Sequence, residues 1–295
     1  MLRNILRLPS GRWAIGLLAF LAVIGVSGPF LAPYDPNETV GSNLTGPSAD
    51  FWFGTDYLGR DVLSRLLAGA PLSLGGALLV AVLALLIGAI PGILSVYLGR
   101  VFEWTSLRVI DTLIALPFLV FAVAMTALLG NGVVQALFAV GILLSPVFYR
   151  VARTAALGAA NSQYVEAAVL SGANTGWVVR RHIRIKVLPP IAISFAATVG
   201  MGLTVIASLT FLSIGVMPPT ATWGGVLASD LQFIAAQPFA PFIPITLILL
   251  SVLACNLLAD AIRDVTGESG RQLLATRAAR KSASDSPTSE GIVHV

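Results

Sequence analysis

Residues whose side chains could bind another molecule are concentrated in Arg153–Pro189, a polar segment between two long apolar blocks. The stretch carries Glu166, Gly172 and a basic run that ends at Lys186. These groups suit ion pairing and docking rather than bond breaking. We predict that the stretch is a cytoplasmic loop, folded into short helices, that receives force from another protein.

The sequence contains few groups for catalysis or metal binding. His182 and His294 are far apart along the chain, and the single cysteine, Cys255, lies in an apolar run. No Gly-x-x-x-x-Gly-Lys-Ser/Thr loop is present, so the chain cannot bind ATP in that way. We therefore expect no catalytic residue, no metal and no cofactor, and any ATP-driven work requires a partner.

The composition indicates an integral membrane protein. Apolar residues make up 56% of the 295 residues, and charged residues make up only 11%, whereas a soluble domain has about 25% charged residues. We expect the lipid bilayer to be the surroundings of this chain, and we expect no nucleic-acid partner.

Apolar runs of about 20 residues, the length needed to cross a roughly 30 Å hydrocarbon core, predict an all-α fold with six transmembrane helices and cytoplasmic termini. The first span is 13–33, and 1–12 is a cytoplasmic N-terminus. Residues 34–71 form an extracytoplasmic loop, 72–267 form a five-helix core, and 268–295 form a disordered cytoplasmic tail. Within the core, 100–111 is predicted to be a charged loop, residues 129–132 to be a turn between two spans, and the last span to begin near Phe242.

The distribution of positive charge orients these spans. With the N-terminus inside, 16 of the 18 Lys and Arg residues lie in inside segments, and only Arg60 and Arg65 lie outside. Cytoplasmic loops carry an excess of Lys and Arg. The asymmetry therefore places the 153–189 loop in the cytoplasm.

Within this loop, the segment Tyr164–Gly172 reads YVEAAVLSG. Glu, Ala and Leu favour a helix, and Gly172 can end it in the left-handed conformation. Ala167 and Ala168 allow another backbone to approach closely. The alternative interpretation is an ordinary basic loop that lies on lipid head groups.

The segment Glu166-Ala167-Ala168, followed after three residues by Gly172, resembles the EAA motif of ABC-importer permease subunits. Further blocks resemble the second, C-type permease of dipeptide and oligopeptide importers, and the resemblance extends from about Trp13 to Gly267. The matching blocks are Phe53–Asp56, Leu58–Arg65, Arg108, Asp111, Pro117, Ser208–Gly215, Pro218-Pro219, Trp223-Gly224, Asn256–Asp260 and Arg263-Asp264.

This resemblance implies an ABC type I importer permease fold in a bacterial plasma membrane. It implies four kinds of partner: a homologous second permease, two cytoplasmic ATP-binding subunits or domains, an extracytoplasmic solute-binding protein and the bilayer. The implied ATPase-coupling residues are Tyr164, Glu166, Ala167, Ala168, Gly172, Arg181 and His182. Leu188-Pro189 comes four residues later than in the family pattern, so we expect a second coupling segment that runs one turn longer before proline breaks it.

Two groups of polar residues have competing interpretations. Asn131, Gln135, Thr204, Ser208 and Asn256 are candidates for lining a translocation pathway, although such residues commonly form helix–helix hydrogen bonds instead. The outer residues Asp56, Arg60 and Asp61 are candidates for contacting a binding protein. A surface turn stabilised by Asp–Arg pairing explains that second set equally well.

The sequence thus predicts a permease subunit, not an enzyme, that forms half of a pathway for dipeptides or oligopeptides. An importer of nickel, haem or another small solute on the same scaffold is the first alternative. A stand-alone secondary transporter is the second. It is less consistent with the spans, since they contain no deep charged residue of the kind that marks proton or ion paths.

Overall fold

The computed structural model describes residues 2–6, 8–163, 165, 171–172 and 184–267. Within these residues the regular elements are helices, and β pairing is confined to one isolated bridge between Thr55 and Asp61. The helices are α1 (Leu2–Ile5), α2 (Pro9–Leu31), α3 (Val62–Ala70), α4 (Gly76–Leu94), α5 (Arg100–Ala115), α6 (Phe118–Leu129), α7 (Val133–Ala160), α8 (Arg184–Phe211), α9 (Trp223–Gln232) and α10 (Phe242–Thr266).

The described chain contains six apolar units that could cross a membrane, and the predicted all-α, six-span fold is confirmed. Five are single long helical units, and the sixth is a bent pair made of α5 and α6. One of the five is the continuous segment Val62–Leu94, in which α3 and α4 are joined by a π-helical turn. The last span begins at Phe242, the predicted position.

The prediction of a charged loop at 100–111 is wrong, because this segment is the first part of α5. Its charges did not prevent a helix, since Arg108 and Asp111 pair three residues apart on its surface. The chain then bends by 101° between α5 and α6. Leu116 is extended, as expected for a residue before proline, and Pro117 precedes the first residue of α6.

The predicted proline break after Leu188 is also wrong. The helix α8 continues through Pro189 and Pro190 to its end at Phe211. A proline lacks one N–H donor, but its fixed φ near −65° is compatible with helix. Val187 and Ile191 lie on either side of the two prolines and pack against the end of α7, so tertiary contacts hold the segment helical.

The centre of the fold is the contact between α4 and α7, where two backbones approach each other closely. A Cβ atom added to Gly88 would lie 2.1 Å from the carbonyl oxygen of Ser145, and one added to Gly92 would lie 2.6 Å from that of Tyr149. These glycines are four residues apart and therefore lie on one face of α4. In a bilayer, small residues at such spacing allow the close packing that holds spans together.

Gly88→Ala should destabilise the protein by roughly 1–3 kcal/mol, the usual cost of forcing an extra carbon into a packed interface. Gly16→Ala is the matched control, since Gly16 is also helical and nothing lies within 4 Å of its added Cβ. We expect a lower thermal unfolding midpoint in detergent micelles for Gly88→Ala and an unchanged or higher one for Gly16→Ala. Equal midpoints for the two variants would contradict the close α4–α7 contact.

Candidate functional site

A cavity of about 700 Å³ lies between α6, α8 and α10 and has mostly apolar walls. Of the five residues predicted to line a pathway, Thr204, Ser208 and Asn256 contribute to its wall. Apolar side chains including Leu119, Phe211, Ile248 and Val252 form much of the remainder. The structure thus brings three of the five predicted pathway residues together at one cavity, from two different spans.

The polar side chains of this wall differ in whether they form hydrogen bonds within the protein. Thr204 Oγ1 donates to the carbonyl of Gly200, and Ser208 Oγ donates to that of Thr204. Asn256 is exposed, and its side chain has no hydrogen-bond partner within the described part of the chain. An amide facing lipid without a partner is costly, so this face of α10 is suited to water or to another polypeptide.

Asn131 and Gln135 lie elsewhere. Asn131 Oδ1 accepts a hydrogen bond from the backbone N–H of Gly215 at 2.6 Å. This bond joins the turn between α6 and α7 to the segment after α8. The Gln135 side chain lies over Gly132 in the same turn. Neither residue belongs to the wall of the large cavity.

Of the predicted coupling residues, Gly172 lies within the described residues, and so does Val165, which was not among them. Val165 is 5% exposed and packs with Ala156 and Ala159 of α7, with Val187 of α8, and beside Val96 and Tyr97 after α4. Gly172 is exposed with a φ of 88°, the left-handed region expected of a helix-ending glycine. The remaining predicted coupling residues, Tyr164, Glu166, Ala167, Ala168, Arg181 and His182, lie outside the described residues.

Polar contacts tie α5 to α7 near the same end of the molecule. The Arg153 guanidinium pairs with Glu103, and Arg150 lies 3.8 Å from Asp111. The hydroxyl groups of Ser106 and buried Tyr149 are 2.7 Å apart. These contacts fix the first half of the bent span against α7, while the second half, α6, borders the large cavity.

At the other end, residues 34–61 form a segment that we call the outer loop, and Asp56 is its centre. Asp56 Oδ1 accepts hydrogen bonds from the backbone N–H groups of Leu58 and Arg60. Its Oδ2 accepts from Nε and Nη2 of Arg60, both at 2.7 Å, and lies 3.6 Å from Arg65 Nε. All three charged side chains are buried.

Asp61 has a separate structural role. Its carboxylate accepts from the backbone N–H and the hydroxyl of Ser64 and so caps α3. With Asp56, Arg60 and Asp61 all buried, the side chains proposed to meet a binding protein are occupied inside the loop. The described geometry is that of the other interpretation, a turn stabilised by Asp–Arg pairing.

The helix α9 and the residues after it fasten the outer loop to the spans. Thr222 caps α9 by accepting from Gly225 N–H, and the buried Trp223 indole donates to the carbonyl of Leu66 at 2.9 Å. Phe233 stacks on Tyr57 with ring centres 5.2 Å apart. Gln237 Nε2 donates to the carbonyl of Thr45. The loop and α9 therefore form one packed unit.

Asp230 of α9 completes the buried charges of this unit. Burial, together with the nearby Asp56 carboxylate, raises the pKa of Asp230 from 3.8 to about 7, although Arg65 acts in the opposite direction. Its Oδ2 is buried and has no hydrogen-bond partner among the described residues. A raised pKa means that the folded state holds this proton more tightly than the unfolded state. The resulting stabilisation is full below pH about 4 and is lost as the pH rises through about 7.

Sequence reasoning missed both Asp230 and Val165. Asp230 is the one charged residue between Lys186 and Asp260. A single charge in such a long uncharged stretch indicates a structural or functional role. Val165 carried a weaker signal, as an apolar residue directly before the acidic residue of a charged loop.

Asp56→Asn should lower the free energy of unfolding by roughly 3–5 kcal/mol, because it leaves two buried guanidinium groups without their shared carboxylate. Asp50→Asn is the matched control, as Asp50 is exposed on the same loop and should stay within about 0.5 kcal/mol of the unaltered protein. Chemical or thermal unfolding in micelles measures the difference. A midpoint for Asp56→Asn equal to that of the control would show that the pairing contributes nothing.

Comparison with known proteins agrees with this architecture. Residues 84–267 match the family model described as binding-protein-dependent transport system inner membrane component. The chain is 37% identical over 261 residues to the di/tripeptide transport system permease protein of Pseudomonas aeruginosa, covering 85% of this chain and 86% of that one. It is 34% identical over 264 residues to the nickel transport system permease protein of Escherichia coli, covering 86% and 94%.

A solved structure shows the same fold. It is an inward-facing structure of the MetNI methionine ABC transporter, which aligns with a TM-score of 0.56 and 17% identity over 69% of this chain and 97% of that chain. Together with the family match and the relatives, which are transport permeases and not enzymes, this places the chain in a multi-pass bacterial membrane protein family. The chain is a member of the binding-protein-dependent transport system inner membrane component family, the permeases of ABC importers.

Proposed function

We propose that this permease pairs with a homologous second permease and that together they form a pathway for dipeptides or oligopeptides. The supporting observation is the large cavity between α6, α8 and α10. Its volume of about 700 Å³ falls in the range of small-molecule sites, roughly 300–1,000 Å³. The exposed Asn256 amide on its wall is left for water, for cargo or for the second permease.

The chemistry of the wall suits cargo that varies in its side chains. Apolar residues with a few hydroxyl and amide groups surround the cavity, and none of the described residues that line it is ionisable. Such a wall makes no fixed ion pair with the solute and so binds it weakly. Weak binding fits a conduit that receives its solute from a separate binding protein and must release it on the other side.

Coupling to an ATPase is proposed to pass through the 153–189 loop. Val165 directly precedes Glu166, the first residue of the EAA-like motif, and is buried against the ends of α7 and α8 and the residues that follow α4. A push on the neighbouring Glu166–Ala168 segment therefore acts on three spans through packed side chains. One of these, α8, also forms part of the wall of the large cavity.

Peptides and nickel are the two solute classes to distinguish, because one relative is named for di/tripeptides and another for nickel. Cells that lack this chain should lose uptake of a radiolabelled dipeptide and regain it when the chain is restored, while uptake of ⁶³Ni is measured in the same strains. Loss of dipeptide uptake alone supports the proposal. Loss of nickel uptake alone would replace peptides by nickel as the cargo.

Gly172→Val and Glu166→Lys should each abolish most uptake of the native solute while the protein still accumulates in the membrane. A β-branched residue at a φ of 88° carries a strain of roughly 1–3 kcal/mol, which is enough to displace the end of the coupling segment. Gly172→Asn is the control, as Asn tolerates this region better and nothing lies within 4 Å of the added Cβ. Normal uptake with Gly172→Val or Glu166→Lys would exclude the coupling role.

A further inference from the structure

A second, smaller cavity lies beside the outer loop and has polar walls. Its volume is about 90 Å³, and it is enclosed by the outer loop, the start of α3, the segment after α8 and the first turns of α9. Because one water molecule takes up about 30 Å³ of liquid, the space suits a few waters or one small ionic group. Its polar wall includes Arg60, Arg65, Thr210, Ser213, Thr222 and Gln232.

The two arginines give this cavity an excess of positive charge. Arg60 is 4% exposed and Arg65 is 6% exposed. Both point to the same oxygen of Asp56, which binds Arg60 closely and lies 3.6 Å from Arg65 Nε. Arg65 Nη1 also donates to the carbonyl of Pro36, which satisfies a donor but brings no negative charge. Among the described residues, the one carboxylate paired with them therefore neutralises two buried guanidinium groups only in part. An incompletely compensated buried charge is unfavourable, so an added anion here would be stabilised.

The surroundings of the cavity add to its positive potential. Thr222 and Gly225, at the start of α9, belong to its wall. The N-terminus of a helix carries a partial positive charge. The hydroxyl-bearing residues Ser213 and Thr220 also border the space, whereas the hydroxyl of Thr210 already donates to the carbonyl of Ala207. A guanidinium group together with hydroxyl donors is a common way to hold a carboxylate.

Asp230 is a second acidic group that acts on Arg65, and its buried Oδ2 has no hydrogen-bond partner in the part of the chain that the structure describes. With a pKa of about 7, its carboxyl group is about half protonated at neutral pH. The charges that act on it are those of Asp56 and Arg65. When Asp230 holds its proton, the cluster keeps its full excess of positive charge.

We propose that this cavity is a binding site for a carboxylate-sized monoanion, held by Arg60 and Arg65 and by hydroxyl groups of the neighbouring segment. A carboxylate of this size has two sources: the C-terminus of a peptide and a free anion such as acetate. The space holds the anionic group itself and excludes the body of a peptide. The proposal does not depend on which solute the permease carries.

Protonation of Asp230 and binding of the anion favour each other. Between pH 8 and pH 6 the protonated fraction of a group with a pKa of about 7 rises about tenfold. If the protonated form is the binding-competent one, apparent affinity rises by the same factor. The anion should therefore bind more tightly as the pH falls.

The test is calorimetric titration of the purified full-length chain in micelles with sodium acetate, in chloride-free buffer at fixed ionic strength, at pH 6, 7 and 8. We expect saturable binding at one site that tightens about tenfold from pH 8 to pH 6. Asp230→Asn should bind at pH 8 as tightly as the unaltered chain does at pH 6. This gain cannot result from misfolding.

Two variants test the location. Ala228 lines the cavity, and Ala228→Leu should fill it and abolish acetate binding. Ala236→Leu adds the same side chain at an exposed position nearby and should leave binding unchanged. Absence of saturable binding, undiminished affinity in Ala228→Leu, or no gain in Asp230→Asn at pH 8 would each overturn the site.

The source of the anion follows from competition experiments. Displacement of acetate by alanylalanine but not by its C-terminal amide identifies a peptide carboxylate as a ligand. Displacement by chloride alone, with no effect of the dipeptide, identifies a free anion. Equal displacement by the dipeptide and its amide would contradict recognition of a carboxylate.

Discussion

The close approach of the α4 and α7 backbones is the contact on which the other spans depend. Lipid tails are as apolar as the side chains of a span, so burying apolar surface does not bring helices together in a bilayer; close packing does. Gly88 and Gly92 allow that packing by leaving room for the carbonyl groups of α7. The helix α8 packs on both members of the pair, and α10 packs on α8 in turn. The large cavity is bordered by this second layer and by α6.

Much of the fold could be predicted from hydropathy and charge, because both act over whole segments. The start of the last span at Phe242 is one example. The structure differs from these expectations where packing outweighs the local preference of one or two residues. The charges of α5 were interpreted as a loop, although Arg108 and Asp111 satisfy each other on a helix surface. The pair Leu188-Pro189 predicts a helix end, but the helix continues through Pro189 and Pro190 because the neighbouring Val187 and Ile191 hold it in place.

The candidate site shows a similar limit. Polar residues in apolar spans can be recognised from sequence, but their partners depend on how the spans pack. Asn131 accepts a hydrogen bond from the backbone of Gly215 and so joins two segments. Asn256 has no hydrogen-bond partner among the described residues and borders the cavity. Burial also determines the role of the charged residues in the outer loop. Asp56 and Arg60 look like surface charges in the sequence, yet they form the interior of the loop, and the isolated Asp230 joins them from 170 residues further along the chain.

The burial of Arg60 and Arg65 has an electrostatic consequence for the surface of the outer loop. Arg60 of the loop and the adjoining Arg65 of α3 are inside, while the acidic Asp35, Glu38 and Asp50 of the loop are exposed. The loop therefore presents a negative rim to the surroundings. Such a field attracts a basic protein surface, with a strength that declines as salt is added, and lowers the local concentration of small anions from bulk solution. An anion from bulk solution therefore crosses a repulsive field before it reaches the positive charges inside the loop.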